Sequence, residues 1–243
     1  MPIKILVNGA FGRMGFMTVN MIENHPGFEL VGQTGREYDL KKSIQDSGAD
    51  VVVDFTHPDA VLNNTNIIID SGARPVIGTT GLTTKQVKTL QEKCEKLKRG
   101  GVIAPNFSLG AVLMMKYAQQ IANYLPNVEI IELHHDKKAD SPSGTALRTA
   151  ELIAEAADLK EAAPALRETV AGARGALYHG IPIHAVRLPG FLAHQQIIFG
   201  GTGETLTLRH DSLDRQCFMS GVAFACEHVM QLDHMVYGLE QMI

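Results

Sequence analysis

The chain has 243 residues, and its 45% of apolar side chains is enough for one large or two modest packed domains. Its net charge is −4 and no block of basic residues stands out, so nucleic-acid binding is not expected to be its main role. Cys94, Cys217 and Cys226 show neither paired nor metal-type spacing, which predicts reduced thiols. Asn8 interrupts the opening apolar run and Pro105 the longest one, so we expect no signal peptide and no membrane span, and a cytoplasmic protein.

Strands and helices are predicted to alternate through the first half of the chain. Predicted strands cover residues 3–7, 28–33, 51–55, 75–77 and 102–104. The first predicted helix ends near residue 24, and three further helices cover 40–46, 58–71 and 85–97. Thr83 and Gln86 form the pattern of a capping box at the start of the last of these helices. Repeated βα units predict a parallel sheet covered on both faces, with ligands beyond the carboxyl ends of its strands.

A glycine-rich turn follows the first strand. Gly9 is expected to allow a tight turn, Gly12 a close approach of the backbone to a pyrophosphate, and Gly15 close packing of the helix on the strand. The order of strand, glycine turn and helix is typical of a dinucleotide-binding domain, although the spacing G-x-x-G-x-x-G is not the commoner one. The alternative is an ordinary strand-to-helix turn.

The end of the second strand bears on the choice of cofactor. An acidic residue there accepts hydrogen bonds from the ribose of NAD, whereas an arginine suits a 2′-phosphate. The sequence continues with Gly35, Arg36 and Glu37, so the acid is missing from its usual place and a cation is present. We therefore expect NADPH as the preferred cofactor and keep NADH as the alternative, since Glu37 could reach a ribose. Arg36 could also be a solvated surface residue.

The pattern changes after residue 108. A helix at 110–124, a strand at 128–135 and a helix at 146–157 precede an alanine-rich polar stretch at 158–174, which we expect to end in a mobile loop. Strand-like runs at 183–187, 195–199 and 205–209 have few helices between them, which predicts an α+β domain with a mixed or antiparallel sheet. The last segment, 215–232, has helical periodicity and is expected to return to the first domain. The predicted domains are thus 1–108 with 216–243, and 109–215.

The segment 132–146 combines groups suited to one reaction. His134 and His135 are side chains able to transfer a proton near neutral pH, and Lys138 supplies a positive charge for an anionic substrate. Gly144 and Thr145 lie in the turn that opens the next helix, where free N–H groups attract anions. These groups together predict the reduction of a molecule that carries carboxylates.

Two other interpretations of the same histidines remain. A pair of neighbouring histidines is often only polar surface or a satisfied pair in the core. Metal binding is conceivable because His134, His135, Asp136 and Asp140 are all potential ligands. However, neighbours on a strand point to opposite faces, and no second cluster of histidine or cysteine completes a site, so we expect no metal.

These motifs together resemble the dihydrodipicolinate reductase family over almost the whole chain. The resemblance rests on Gly9-x-x-Gly12-Arg13-Met14-Gly15, Asp54-Phe55-Thr56, Gly78-Thr79-Thr80-Gly81, Ala104-Pro105-Asn106-Phe107-Ser108 and the string from Glu132 to Ala146. It implies a Rossmann-type cofactor domain, a substrate and oligomerisation domain, and a homotetramer. The implied reaction is reduction of 4-hydroxy-tetrahydrodipicolinate, a cyclic imine dicarboxylate, to tetrahydrodipicolinate on the route to diaminopimelate and lysine.

The resemblance also implies roles for single residues. His134 resembles the proton donor and Lys138 its partner, and the substrate-contacting positions are His135, Gly144 and Thr145. The cofactor-contacting positions are Gly9, Ala10, Phe11, Gly12, Arg13, Met14, Arg36, Gly78, Thr79, Thr80, Ala104, Pro105, Asn106 and Phe107.

Two departures from the family pattern stand out. Gly35 stands where many members carry the acidic ribose ligand, and Ala193-His194-Gln195 replaces a Gly-Glu-His run, as in the shorter plant-type branch. Another NAD(P)H-dependent reductase of an imino acid or amino-acid semialdehyde is the alternative function. A dinucleotide sensor without catalysis is a further one, although a sensor has no need for His134 and Lys138 beside an anion cradle.

Overall fold

The computed structural model of the protein describes residues 1–157 and 168–243. Its strands are β1 Ile3–Asn8, β2 Phe28–Thr34, β3 Val51–Asp54, β4 Arg74–Ile77, β5 Gly101–Ile103, β6 Asn127–His134, β7 Ala176–Tyr178, β8 Ile181–Arg187, β9 Ala193–Gly201, β10 Glu204–Ser212 and β11 Met235–Tyr237. Its α-helices are α1 Arg13–Glu23, α2 Leu40–Ser47, α3 Pro58–Asp70, α4 Thr84–Leu97, α5 Leu109–Ala122, α6 Gly144–Ala156 and α7 Met219–His228. Short 3-10 helices cover Arg215–Phe218, Val229–Gln231 and Leu239–Gln241.

Contacts between Cα atoms divide the described chain into two compact units. The first comprises Met1–Leu109 and Arg215–Ile243, and the second comprises Gly110–Asp214. The carboxyl-terminal segment that follows Asp214 therefore packs with the amino-terminal part of the chain.

The first unit contains a six-stranded parallel sheet in the order β11-β5-β4-β3-β1-β2. Val51, Val52 and Val53 are consecutive and fully buried, so the sheet is covered on both faces, which confirms the predicted α/β architecture. The chain leaves β1 for β2 on one side and then places β3 on the other side of β1. This change of direction creates a crevice at the carboxyl ends of β1 and β3, where sheets of this kind bind ligands.

Local sequence signals set the boundaries of the helices in this unit. At the start of α4 the Gln86 backbone N–H donates to the Thr83 hydroxyl over 3.3 Å, and the Thr83 N–H donates to the Gln86 side-chain oxygen over 2.8 Å. The predicted capping box is therefore confirmed, and it supplies acceptors for two amides that have no partner within the helix.

The second unit contains a five-stranded mixed sheet in the order β10-β9-β6-β8-β7. The central strand β6 pairs in parallel with β8 and antiparallel with β9, which confirms the predicted mixed sheet. Its core combines large side chains of the strands, such as Phe199, with small residues of α5 and α6, such as Ala118 and Ala150. Small helical residues allow the helices to lie close to the sheet, and β6 is thereby held in the middle of the unit.

Several predicted elements differ from the structure. The predicted helix at 215–232 is divided into a 3-10 turn, α7 and a second 3-10 turn, because an apolar stripe does not distinguish these two helix types. The strands β7 and β11, of three residues each, were not predicted. The alanine-rich stretch at 158–174, which was predicted to end in a mobile loop, lies partly outside the described residues, which resume at 168. No helix of the described chain has the length and apolar character needed to cross a membrane.

Candidate active site

The glycine turn after β1 packs closely against neighbouring backbone. Gly9 has φ +83°, a conformation that favours glycine, and a Cβ there would lie 2.3 Å from the carbonyl oxygen of Phe55. A Cβ on Gly15 would lie 2.0 Å from the carbonyl oxygen of Gly9. The close contact that Gly15 permits is therefore with the glycine turn, whereas the sequence had predicted a contact with the strand. The first residue of α1 follows Gly12, which makes no side-chain cap. This start of a helix is suited to an anionic group.

The loops after β3, β4 and β5 meet around one aromatic ring. A Cβ on Gly78 would lie 2.1 Å from the ring of Phe55, and the Phe55 and Phe107 rings pack edge to face with centroids 5.7 Å apart. Phe107 and Ala104 are buried, whereas Pro105 on the same loop is exposed. Phe55 and Phe107 thus pack these loops against one another, and Pro105 is left exposed.

A buried carboxylate joins four elements at this edge of the sheet. Asp54 is fully buried and accepts hydrogen bonds from the side chains of Asn8 (2.8 Å), Thr56 (2.7 Å), Asn64 (3.0 Å) and Thr79 (2.6 Å). It also accepts from the backbone N–H of Thr56 over 3.2 Å. These donors satisfy both oxygens without a cation, and they fix the loops that follow β1, β3 and β4 relative to one another.

A cavity of about 510 Å³ opens beside these loops in the first unit. Its lining includes Gly9 of the glycine turn, Gly35 and Arg36 after β2, and Thr56 and Asn64 of the Asp54 cluster. The volume is in the range of ligand sites, and Arg36 supplies a cation at its wall. The glycine cradle, the helix start and this cavity together fit a dinucleotide with phosphate groups.

His134 lies at the end of β6 in the second unit and is held by a buried carboxylate. The Glu132 side chain is fully buried, and its Oε2 lies 2.6 Å from the Nδ1 of His134. Residues two apart on a strand point to the same face, which brings these two side chains together. The nitrogen Nε2 is the ring atom left for other partners.

Arg187 reaches the same carboxylate from β8. In the parallel register of β6 and β8 it stands beside His134, and its two terminal nitrogens donate to the two oxygens of Glu132 over 2.7 Å each. Burial acts to raise the pKa of the Glu132 carboxyl, but hydrogen bonds from His134 and Arg187 outweigh it and lower the pKa to about 2. Glu132 is therefore ionised at neutral pH.

Lys138 lies in the loop between β6 and α6. Its ammonium donates to a carboxylate oxygen of Asp140 over 2.7 Å, and its side chain is 22% exposed. This hydrogen bond, opposed by partial burial, lowers the pKa of the Asp140 carboxyl. Lys138 is thus a partly exposed cation that is oriented by an exposed acid.

The start of α6 provides N–H groups beside this loop. Ser143 is buried and caps the helix by accepting from the N–H of Ala146 over 3.2 Å, so the helix begins at Gly144, two residues earlier than predicted. Gly144 is exposed, and a Cβ there would meet no atom within 4 Å. Open space above the first turn of a helix is suited to a carboxylate.

The structure groups the residues that the sequence singled out into two sets. All predicted cofactor positions belong to the first unit, and His134, Lys138, Gly144 and Thr145 lie along the segment of the second unit that runs from the end of β6 to the start of α6. His135 is half-buried and follows β6 instead of ending it. Within the described residues no three His, Cys, Asp or Glu side chains are grouped so that they could hold a metal ion.

Sequence reasoning missed three residues of these sites: Asp54 as the centre of a cluster, Glu132, and Arg187. Signals for two of them were present. Asp54 ends an otherwise apolar buried strand, and Glu132 interrupts the apolar strand β6 two residues before His134. Arg187 is the last residue of β8, whose other residues show no distinctive pattern, and no feature near it in sequence predicts a partner on β6.

Comparison with known proteins identifies relatives of the whole chain. The model of the dihydrodipicolinate reductase N-terminus matches residues 3–107, and that of the C-terminus matches residues 110–243. Proteins named 4-hydroxy-tetrahydrodipicolinate reductase from Coxiella burnetii (strain Dugway 5J108-111) and Legionella pneumophila (strain Philadelphia 1) are 53% and 50% identical over 243 residues, with 100% of each chain covered. The solved structure of a dipicolinate-bound dihydrodipicolinate reductase from Paenisporosarcina sp. TG-14 is 44% identical, with a TM-score of 0.92 and 100% of both chains covered.

Proposed function

The chain belongs to the dihydrodipicolinate reductase family, and from this premise we propose that it catalyses NAD(P)H-dependent reduction of 4-hydroxy-tetrahydrodipicolinate to tetrahydrodipicolinate in lysine and diaminopimelate biosynthesis. The single observation that carries this proposal is that the chain retains a complete proton-donating and anion-binding loop: His134 on its buried carboxylate, Lys138, and the open start of α6. A family member that had lost the reaction would have no need to keep these groups together.

The substrate carries two carboxylates, and the second unit offers two kinds of group to bind them. Lys138 supplies a full positive charge, and the N–H groups at Gly144 and Thr145 supply the positive end of a helix dipole. The relative from Paenisporosarcina, which is described as dipicolinate-bound, supports a small dicarboxylate as the ligand of this site. His135 is the remaining predicted substrate contact.

The reaction needs a hydride and a proton. The nicotinamide cofactor supplies the hydride when it is bound. His134 donates the proton from Nε2, because Nδ1 faces Glu132, and Lys138 stabilises the negative charge of the substrate beside it. The ionised Glu132 carboxylate contacts the ring at Nδ1 and so orients it with Nε2 available for the proton transfer.

For the cofactor we propose residues 1–108 and 216–243 as the binding domain and NADPH as the preferred form. Gly9, Gly12 and the start of α1 would hold the pyrophosphate, and Arg36 at the wall of the cavity would pair with the 2′-phosphate. An Arg36→Ala substitution should weaken NADPH binding by about tenfold, the value of one charged contact, and leave NADH binding unchanged. Fluorescence titration of both cofactors measures this, and equal effects on the two would exclude a role for Arg36 in selectivity.

The remaining predictions concern the assembly and its location. We propose residues 109–215 as the substrate and oligomerisation domain, a homotetramer as the assembled form, and the cytoplasm as the compartment. Sedimentation velocity of the purified protein measures its oligomeric state directly, and a monomer at micromolar concentration would contradict the homotetramer.

The test of the activity is loss of NADPH absorbance in a coupled assay. Pyruvate, aspartate semialdehyde and the preceding synthase generate the unstable substrate in place. We expect oxidation that depends on the synthase and falls by 100-fold or more in His134→Gln, as general acid catalysis contributes at least ~100-fold, while NADPH binding is retained. Absence of oxidation by a folded protein that binds NADPH would refute the substrate and favour a different imino acid or a semialdehyde.

A further inference from the structure

The buried carboxylate of Glu132 makes more hydrogen bonds than its contact with the His134 ring alone would need. Glu132 accepts four hydrogen bonds: from His134, from the two terminal nitrogens of Arg187, and from the backbone N–H of Ser143 over 3.0 Å. Its side chain is fully buried, so no water competes for its oxygens. The donors come from three different places in the chain, which fixes the carboxylate in position and in orientation.

An ionised carboxylate has no hydrogen to donate. The ring nitrogen that lies 2.6 Å from Glu132 must therefore carry its own hydrogen, which fixes neutral His134 as the Nδ1–H tautomer. The nitrogen Nε2 then has a free lone pair in the neutral ring and a hydrogen in the imidazolium. Donation of a proton from Nε2 leaves the Nδ1–H ring, and uptake of a proton at Nε2 restores the imidazolium, so the ring never needs to turn.

Arg187 connects this carboxylate with the rest of the loop. One terminal nitrogen that binds Glu132 also donates to the backbone carbonyl of Asp140 over 2.8 Å, and Asp140 in turn binds Lys138. The Ser143 N–H that Glu132 accepts belongs to the cap residue of α6. Glu132 and Arg187 therefore set the positions of the proton donor, the cation and the anion-binding helix start relative to one another.

We propose that Glu132 and Arg187 are the positioning residues of this site, Glu132 by fixing the tautomer and direction of His134 and Arg187 by fixing Glu132 and the loop of Lys138. Neither is proposed to touch the substrate. The fixed tautomer is a property of the protein alone, whereas its value for turnover rests on the proposed function.

The chain contains a matched control for this arrangement on the same strand. Glu129 also binds a histidine and an arginine: its Oε2 lies 2.8 Å from the Nε2 of His184, and its Oε1 pairs with Arg174. The side chain of Glu129 is 36% exposed, and neither His184 nor Arg174 belongs to the loop that carries Lys138. A Glu129→Gln substitution thus removes one carboxylate charge from partners of the same two residue types, outside the site.

The first measurement is the tautomer of His134 by 15N NMR of histidine-labelled protein, at an alkaline pH above which the ring shifts of His134 no longer change. The His134→Gln protein identifies the resonances. We expect the Nδ1–H form in the unaltered protein and in Glu129→Gln, and a mixture of tautomers in Glu132→Gln. A His134 ring that remains fully Nδ1–H in Glu132→Gln would overturn the proposal.

The second measurement is turnover in the coupled assay with the same proteins. We expect kcat to fall by roughly 100-fold in Glu132→Gln and to change little in Glu129→Gln, with the Kd for NADPH unchanged in both. If Glu132→Gln does not fold, Glu132→Asp retains the charge and shortens the side chain by one methylene, and a smaller fall of kcat is expected. Equal losses in Glu129→Gln and Glu132→Gln would mean a general effect on the fold and refute a positioning role.

The two measurements separate this proposal from the proposed function. A tautomer that depends on Glu132, in a protein without reductase activity, refutes the proposed reaction and supports the positioning of His134. Reductase activity with a tautomer that does not depend on Glu132 supports the proposed reaction and refutes the positioning of His134 by Glu132.

Discussion

Replacement of Glu132 by glutamine should change how the stability of the protein depends on pH. Glutamine preserves the shape of the side chain but removes its charge and its titration. At pH 7 the substitution leaves the Arg187 guanidinium without its carboxylate, and loss of one partner of a buried ion pair costs about 3 kcal/mol. The Glu132→Gln protein is therefore expected to be less stable than the unaltered protein at neutral pH.

The size of the pH effect follows from the lowered pKa of Glu132. The pKa falls from an ordinary 4.5 to about 2, and this difference corresponds to about 3 kcal/mol of stability at pH values above 5. Because the folded-state pKa is depressed, the contribution is present above the unfolded pKa and is lost as the pH falls toward the folded one. Between pH 5 and pH 3 the unaltered protein should lose about 2 kcal/mol that Glu132→Gln does not lose.

Other groups near Glu132 do not alter this comparison. Asp140 also has a lowered pKa, and it is present in both proteins. Arg187 remains charged throughout, because the hydrogen bonds to Glu132 raise the pKa of its guanidinium.

The assay is urea unfolding followed by far-UV circular dichroism, since the chain has no tryptophan. Curves at pH 7, 5 and 3 give the free energy of unfolding of each protein. We expect a difference of about 3 kcal/mol at pH 7 and 5 that shrinks to about 1 kcal/mol at pH 3. A difference that stays constant from pH 5 to pH 3 would refute the lowered pKa of Glu132 and the ion pair that causes it.

Three further predictions concern the first unit. Asp54→Asn replaces an acceptor of several hydrogen bonds by an amide, one of whose two polar groups is a donor. We expect the free energy of unfolding to fall by about 2 kcal/mol and NADPH to bind at least tenfold more weakly by titration. Unchanged binding would contradict the role of Asp54 in holding the loops. Gly78→Ala places a Cβ 2.1 Å from the Phe55 ring, so NADPH affinity should fall more than in Thr80→Ala, which shortens an exposed side chain of the same loop. Equal affinities of the two variants would argue against the close contact. Thr83→Ala removes the side-chain acceptor that caps α4 and should cost about 1 kcal/mol by urea unfolding; an unchanged free energy of unfolding would contradict the capping role of Thr83.

The sequence by itself determined the order of most elements and the chemistry of the segment from His134 to Thr145. Alternating apolar strands and periodic helices predicted the parallel sheet, and Thr83 with Gln86 predicted the start of α4, because these signals act within a few residues. The histidines, Lys138 and the glycine turn could be found for the same reason: each motif is contiguous in the chain.

Only the tertiary structure decided which distant residues complete the sites. Arg187 lies 55 residues from Glu132, and Asn8 lies 46 residues from Asp54, yet each pair is joined by hydrogen bonds of 2.7 to 2.8 Å. These pairs depend on the register of β6 with β8 and of β1 with β3, and a shift of one residue would turn each side chain to the opposite face. Register is fixed by the packing of the whole sheet, so no local pattern in the sequence specifies it.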